Sequence, residues 1–275
     1  LFSAALTQAQ PKRALVVGLG QQEDKSWAKI NGDRDVPLVK EMLTTAGYKN
    51  ITTLVNKQAT KAAIVKAFGA LASRCKKGDV VYIHFSGHGQ QMTDREGDEK
   101  DGWDEAWIPY DAYLKYGEKD RGEKHLSDDE IGSMLDAIKA RIGDKGQMLV
   151  VIDACHSGSG TRDMDSTDVA VRGAWDKFVI PNVVSVKAKK SERRQGWVTV
   201  SACKDYQSNF ELKGRNVGKL TYALWQIVKG NGKLSNKDVE ERLRRFMLEN
   251  PGRSPQTPVM SGATDKNKVC EVLRL

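Results

Sequence analysis

The sequence predicts an α/β domain with a mainly parallel central sheet of about six strands and helices on both faces. Three observations predict it. Short runs of consecutive apolar residues end in Gly, Ser or Asp, as strands buried on both faces do. Between them lie segments whose apolar residues recur at helical spacing. The two kinds alternate from about residue 12 to residue 248, the rhythm of strand–helix–strand units.

Ala14-Leu15-Val16-Val17-Gly18-Leu19-Gly20 is the first buried strand, closed by glycines. A helix follows from about Asp33, with Val36, Val39, Met42 and Leu43 on one face. Ile51 to Val55 reads as a strand, and Thr60 can cap a helix carrying Ile64, Val65, Phe68 and Leu71. Asp79 to Phe85 is a third strand, broken by Ser86-Gly87-His88-Gly89. Ser127 starts a helix (Ile131, Met134, Leu135, Ile138), and Gly143-Asp144-Lys145-Gly146 turns into the most apolar strand, Met148 to Ile152. That strand ends at Asp153-Ala154-Cys155-His156. Trp197 to Ala202 is a fifth strand, and Gly218 to Val228 and Ser235 to Leu248 are helical. Residues 89–126 and 156–196 fit no regular element and are expected as long loops. Both start at the carboxyl end of an apolar strand, where ligands of open α/β sheets gather.

Composition narrows the class. With 275 residues and 39% hydrophobic side chains the chain can bury a real core, which excludes disorder and collagen. A single domain over residues 11–275 is expected. The formal charge of +8 permits weak attraction to polyanions and establishes none. The charge is uneven: seven carboxylates lie between Asp94 and Glu105, and five cations between Lys187 and Arg194. That basic run reads as a solvated loop, so no nucleic-acid partner is expected. Cysteines 75, 155, 203 and 270 lack CxxC spacing, which argues against a zinc knuckle or a disulfide scaffold. Leu1 to Leu6 reads like the tail of an export segment, with Thr7 and Ala9 as small residues two apart. Residues 1–10 are therefore set apart from the fold, and an exported (periplasmic or secreted) protein is expected. No apolar run approaches the ~20 residues of a membrane helix.

His88 and Cys155 each stand just beyond a buried strand. If those strands run parallel and close together, a thiol and an imidazole emerge on one rim, the minimal machine for acyl transfer. The N–H groups of Gly89 and Cys155 are candidates for holding the oxyanion. The plainer reading is a buried cysteine and a loop histidine. His84 lies within a strand and reads as a satisfied core histidine. His84 and His88 have zincin spacing, yet lack the Glu of HExxH and a helix, which leaves a metal-dependent hydrolase as a lesser alternative. His156 is given no role and His125 a surface position. Gly18-Leu19-Gly20 lacks the third glycine of a dinucleotide loop.

His84-Phe85-Ser86-Gly87-His88-Gly89 and Asp153-Ala154-Cys155-His156-Ser157-Gly158 resemble the two signature blocks of the caspase-like cysteine peptidases, and more closely the metacaspase branch. The resemblance extends from about Lys12 to Lys229 and includes Asp98 to Asp111, Ser127 to Glu130, and Ser201-Ala202-Cys203 with Gln207 and Glu211. It implies a caspase-like three-layer sandwich and a cysteine endopeptidase acting on proteins or peptides, with Cys155 as nucleophile and His88 as acid–base residue. It also implies cleavage after Arg or Lys, in a pocket lined by Asp153 and by Asp35. The family's usual cysteine is missing from Gly32-Asp33-Arg34-Asp35-Val36, so Asp33 and Asp35 both stand as the second acid. No cofactor is required for the chemistry; calcium is implied as an activator, held by Asp128 and Asp129, by Asp101 or Asp104, and by Asp163. Asp128 and Asp129 also suit a helix N-terminus without any ion. Self-cleavage is expected in the basic segment after Cys155, which offers Arg162, Arg172, Lys177, Lys187, Lys189, Lys190, Arg193 and Arg194. A catalytically silent binding module is the competing reading, and transfer to an amine instead of water stays open, as does the oligomeric state.

Overall fold

The computed structural model describes residues 10–156, 169–183, 195–230 and 232–275. Asp163 and most of the expected basic loop lie outside the described residues, as do residues 1–9 of the expected tail.

The central sheet has six strands. They are β1 (Lys12–Gly18), β2 (Asn50–Val55), β3 (Val80–Ser86), β7 (Gln147–Asp153), β8 (Val198–Ser201) and β9 (Val259–Ser261), in the order β2-β1-β3-β7-β8-β9. All neighbours are parallel except the edge pair β8–β9. Alternate side chains feed opposite cores. Ala14, Val16, Tyr82, Leu149 and Val151 meet α1 (Gly32–Thr45), α4 (Lys219–Lys229), α5 (Asn236–Glu249) and α6 (Val269–Leu273). Leu15, Val17, Val81, Ile83 and Val150 meet α2 (Lys61–Arg74) and α3 (Asp128–Ile142). The result is the three-layer sandwich expected.

Helix starts follow from local chemistry. Thr60 accepts the Ala63 N–H, and Ser127 with Glu130 forms a reciprocal capping box at the head of α3. Ser235 and Asp238 repeat that box on α5.

Residues 89–126 are not a plain loop. They hold β4 (Gly89–Thr93) and β5 (Trp103–Trp107), which pair antiparallel with each other, and β5 pairs antiparallel with β6 (Leu126–Ser127) on its other side. Trp103, Ala106, Trp107 and Met92 supply the apolar positions, but the carboxylates between them obscure a two-residue period. His125 is likewise buried, not superficial: Nε2 meets Gln90 Oε1 at 2.9 Å and Nδ1 lies 3.3 Å from Asp120.

Candidate active site

The register puts the two signature blocks together. Ser86 at the end of β3 pairs with Asp153 at the end of β7, so residues 87–89 and 154–156 leave the sheet side by side. The chain runs outward from β1 to β2 in one direction and to β3 in the other, which makes this rim the switch point of the sheet. Gly89 lies so close that a Cβ there would sit 2.6 Å from the Cys155 carbonyl oxygen. No side chain fits at that position.

His88 is fully buried. Its ring centroid lies 4.9 Å from that of Trp27, the planes tilted by 30°, and Nε2 lies 2.8 Å from the Ala28 carbonyl, both supplied by the loop after β1. A carbonyl only accepts, so Nε2 carries the proton and Nδ1 is the free lone pair. Nδ1 has no hydrogen-bond partner among the described residues. Burial is the main cause that lowers the imidazole pKa to about 4. The Cys155 thiol donates to the Gln207 carbonyl at 2.7 Å, and its backbone N–H donates to the Arg172 carbonyl at 2.7 Å. Gly89 faces Trp107 next to the bond from Ile108 N–H to His88 O, so its own N–H and C=O point away from β5. Its carbonyl takes the Ala174 N–H at 3.1 Å.

Beside the thiol lies a buried pocket of three carboxylates, and Arg172 fills it. Nη1 is 2.6 Å from Asp35 and 3.4 Å from Asp153, while Nη2 is 3.1 Å from Glu211. Each acid is fixed by further donors. Ser86 Oγ and Gly218 N–H donate to Asp35 at 2.7 and 2.8 Å. Asn209 Nδ2 and Thr221 Oγ1 donate to Asp153 at 2.8 and 2.6 Å. The Asn31 N–H donates to Glu211 at 2.6 Å. Burial pushes the Asp35 carboxyl up, and the Asp153 charge adds to that against the pull of Arg172. Burial also opposes ionisation of Asp153, but Arg172, Asn209 and Thr221 together hold it below the ordinary carboxylate value. Of the two candidate acids, Asp35 lies in this pocket with Asp153. Asp33 instead takes the Asn56 amide at 3.1 Å.

Arg172 arrives on an extended segment. Val171 bridges antiparallel to Phe210, Arg172 N–H donates to Asn209 O at 2.9 Å, and Glu211 N–H donates to Ala170 O at 3.0 Å. A peptide is thus laid beside residues 209–211 with its arginine side chain in the acid pocket and that arginine's own carbonyl on the Cys155 N–H. The profile of the caspase domain (Peptidase C14) matches residues 11–269. The chain belongs to the caspase-domain family. It is similar to Metacaspase-1 of Plasmodium falciparum (isolate 3D7), 28% identical over 80% of this chain and 35% of that protein. It is also similar to Metacaspase-3 of Arabidopsis thaliana, 32% identical over 63% of this chain and 45% of that protein. The chain therefore spans less than half the length of either relative. Among solved structures, protein GSU0716 from Geobacter sulfurreducens has a TM-score of 0.66 at 26% identity, covering 93% of this chain and 95% of that one. Caspase-1 from Spodoptera frugiperda has a TM-score of 0.61 at 13% identity, covering 92% and 86%, a likeness of fold alone. The caspase-domain family is one of cysteine-type peptidases, and the strand ends of this caspase domain carry the cysteine and histidine blocks of its sequence.

The remaining histidines of the caspase domain have other partners. His84 Nδ1 lies 2.9 Å from Tyr82 Oη, and Nε2 meets Ser86 and Thr221 at 2.9 and 3.2 Å. With both its nitrogens bonded and His88 Nε2 on a carbonyl, the two do not converge on a metal position. His156 Nδ1 pairs with Glu105 at 3.3 Å. Cys75 ends α2, and Cys203 lies against Cys155 with its thiol 3.3 Å from the same Gln207 carbonyl.

Of the expected calcium ligands, Asp104, Asp128 and Asp129 come together, each offering an oxygen within 4.8 Å of the others. Asp94 and Asp98 form a second such group with the same Asp104, and sequence reasoning missed both. Asp101 stands apart, exposed, with Oδ1 taking the Trp103 N–H. The donor set suits a hard cation: oxygen only, with Asp98 Oδ1 and Asp104 Oδ1 buried and lacking hydrogen-bond partners. Burial and the neighbouring carboxylates, Asp128 first, raise the Asp104 pKa to about 7, and burial with Asp129 raises Asp128 to about 6.

Sequence reasoning also missed the pocket roles of Glu211 and Arg172. Glu211 stands next to Phe210 in a stretch already singled out by resemblance, so its position was the available signal. Nothing near Arg172 distinguishes it from the other basic residues of its segment.

Proposed function

We propose that this chain is a cysteine endopeptidase that cuts after Arg, and less efficiently after Lys, with Cys155 as nucleophile and His88 as the acid–base group. The observation that carries the reading is Arg172 itself, an arginine held by three buried carboxylates with its carbonyl oxygen 2.7 Å from the Cys155 N–H. Asp35, Asp153 and Glu211 bind the substrate cation. A substrate aspartate would add a fourth negative charge to that slot and is rejected. Lys fills the slot with one compact ammonium, whereas the guanidinium fork spans all three acids, so Arg is preferred.

The free Nδ1 of His88 takes the Cys155 proton, and the thiolate attacks the carbonyl carbon. The oxygen gathers negative charge between the N–H groups of Cys155 and Gly89, each worth about 3 kcal/mol at the transition state. His88 then protonates the departing amine. Water, deprotonated by the same Nδ1, hydrolyses the thioester and restores the thiol.

Calcium acts as an activator in this reading. Asp104, Asp128 and Asp129 would hold it, with Asp94 and Asp98 beside them, and a bound ion would offset the repulsion among these carboxylates. Glu105, next to Asp104 on β5, pairs with His156 beside the nucleophile. A short peptide ending in Arg and carrying a thiol-reactive group tests the core of the proposal. It labels the wild-type chain at Cys155 and leaves Cys155→Ala untouched; labelling of the alanine variant at the same rate sinks the assignment.

A further inference from the structure

The peptide lying in this site continues past Arg172, and the part beyond is hydrogen-bonded in its turn. The self-cleavage expected of the segment after Cys155 falls, on the arginine-cleaving reading above, at Arg172–Gly173. Resting on that reading, we propose that the stretch from Gly173 to Ile180 stays seated after the cut, a strap over the groove for residues past the scissile bond, with Phe178 as its anchor.

Two of the basic residues expected as cut sites, Arg172 and Lys177, lie among the described residues, and only Arg172 enters the acid pocket. Lys177 places its ammonium 4.0 Å from the Trp103 ring centroid instead. Gly173 passes so near the nucleophile that a Cβ there would lie 2.6 Å from the Cys155 carbonyl oxygen and 3.4 Å from its Cβ. A side chain at this position of the intact segment would force its neighbours to shift. Beyond it the strap runs parallel to β4. Ala174 N–H donates to Gly89 O at 3.1 Å, Phe178 N–H to Gln91 O at 2.8 Å, and Thr93 N–H to Phe178 O at 3.0 Å. Gln90 Nε2 donates to Asp176 O at 2.7 Å, and Thr93 Oγ1 accepts from Ile180 N–H at 2.9 Å. Phe178 is fully buried, with its ring 4.1 Å from that of His125 and packed with Met92, Ala106 and Ile108. The groove is therefore an edge-strand site for an extended peptide with an aromatic residue at the sixth position past the cut.

In the self-reaction the Cys155 sulfur bonds to the Arg172 carbonyl carbon, the C–N bond to Gly173 breaks, and the new amine leaves with the proton carried by His88. Water then frees Arg172 as a carboxylate. Arg172 loses its tether to the strap and can leave the acid pocket. The strap loses one covalent bond and none of its hydrogen bonds or its aromatic anchor. Short substrates that end just past the arginine then enter, while long ones compete with the strap.

The test uses the full chain, wild type and Phe178→Ala, with Cys155→Ala as control. Fragments are read by mass spectrometry during incubation. Hydrolysis is followed on a short arginine peptide with a fluorophore directly after the Arg, and on a quenched peptide extending eight residues past it. The wild type yields a fragment beginning at Gly173 at a rate independent of protein concentration, and Cys155→Ala yields none. On the long peptide, cleaved Phe178→Ala exceeds cleaved wild type by at least about tenfold in kcat/KM, the scale of a buried aromatic anchor. On the short peptide the two are equal. Phe178→Leu gives a smaller change in the same direction should the alanine chain not fold. A fragment beginning elsewhere, a rate that rises with concentration, or equal long-peptide kinetics overturns the inference while the peptidase reading stands. No hydrolysis of either peptide by any variant removes both.

Discussion

At the scale of single residues the site rests on charges that water no longer screens. Cys155→Ala abolishes peptide hydrolysis, and His88→Ala slows turnover by at least ~10²-fold, the usual scale for a general acid–base residue. Steady-state assays on one arginine peptide check both; near-wild-type rates in Cys155→Ala refute the dyad. Arg172 makes a separate prediction. Its removal leaves Asp35, Asp153 and Glu211 facing one another without a cation, so Arg172→Gln loses about 3–5 kcal/mol of stability in urea melts near neutral pH. Burial and the Asp153 charge push the Asp35 carboxyl up even with Arg172 in place, so without it a proton relieves the pocket and the loss shrinks as pH falls. A loss that is unchanged or larger in acid contradicts this. The acids themselves were only partly legible. Asp153 could be read from its nearness to Cys155 and Asp35 from its own short stretch Gly32 to Val36, whereas Glu211 lies 58 residues beyond Asp153 and joins it only through the fold. No local pattern says which basic residue of the segment after Cys155 folds back into the pocket.

Among the elements, five strands of the central sheet and helices α1 to α5 were legible because each is either continuously apolar or periodic. Four short strands were not, nor was the five-residue α6. β4, β5 and β6 place polar and acidic residues between their buried ones, and β9 has three residues, none of them fully buried. The same carboxylates that hide β5 make up the proposed cation cluster. In chelator, burial first and then the charge of Asp128 raise the Asp104 pKa from 3.8 to about 7. A carboxyl raised in the fold costs stability above the folded value and returns it as pH falls toward 3.8. Asp104→Asn is therefore more stable than wild type at pH 8 in chelator, and the gap closes toward pH 4. Calcium reverses the ranking, and the variant gives no calcium heat in titration calorimetry. Equal melting temperatures across this range, or undiminished calcium heat, refute the cluster as a cation site.

The whole molecule joins a peptidase fold to a peptide that already occupies it. The parallel strands bring His88 and Cys155 to one rim, α1 carries Asp35 to the same place, and the segment around Arg172 crosses from residues 209–211 to β4. Specificity is the property that depends on all of these at once. The most direct measurement is kcat/KM for four short peptides that differ only in Arg, Lys, Asp or Leu before the fluorophore, using full-length enzyme incubated until its fragment pattern is constant. The account predicts efficient hydrolysis after Arg, slower hydrolysis after Lys, none after Asp or Leu, and none at all with Cys155→Ala; efficient cutting after Asp, or equal rates for Arg and Leu, would contradict it.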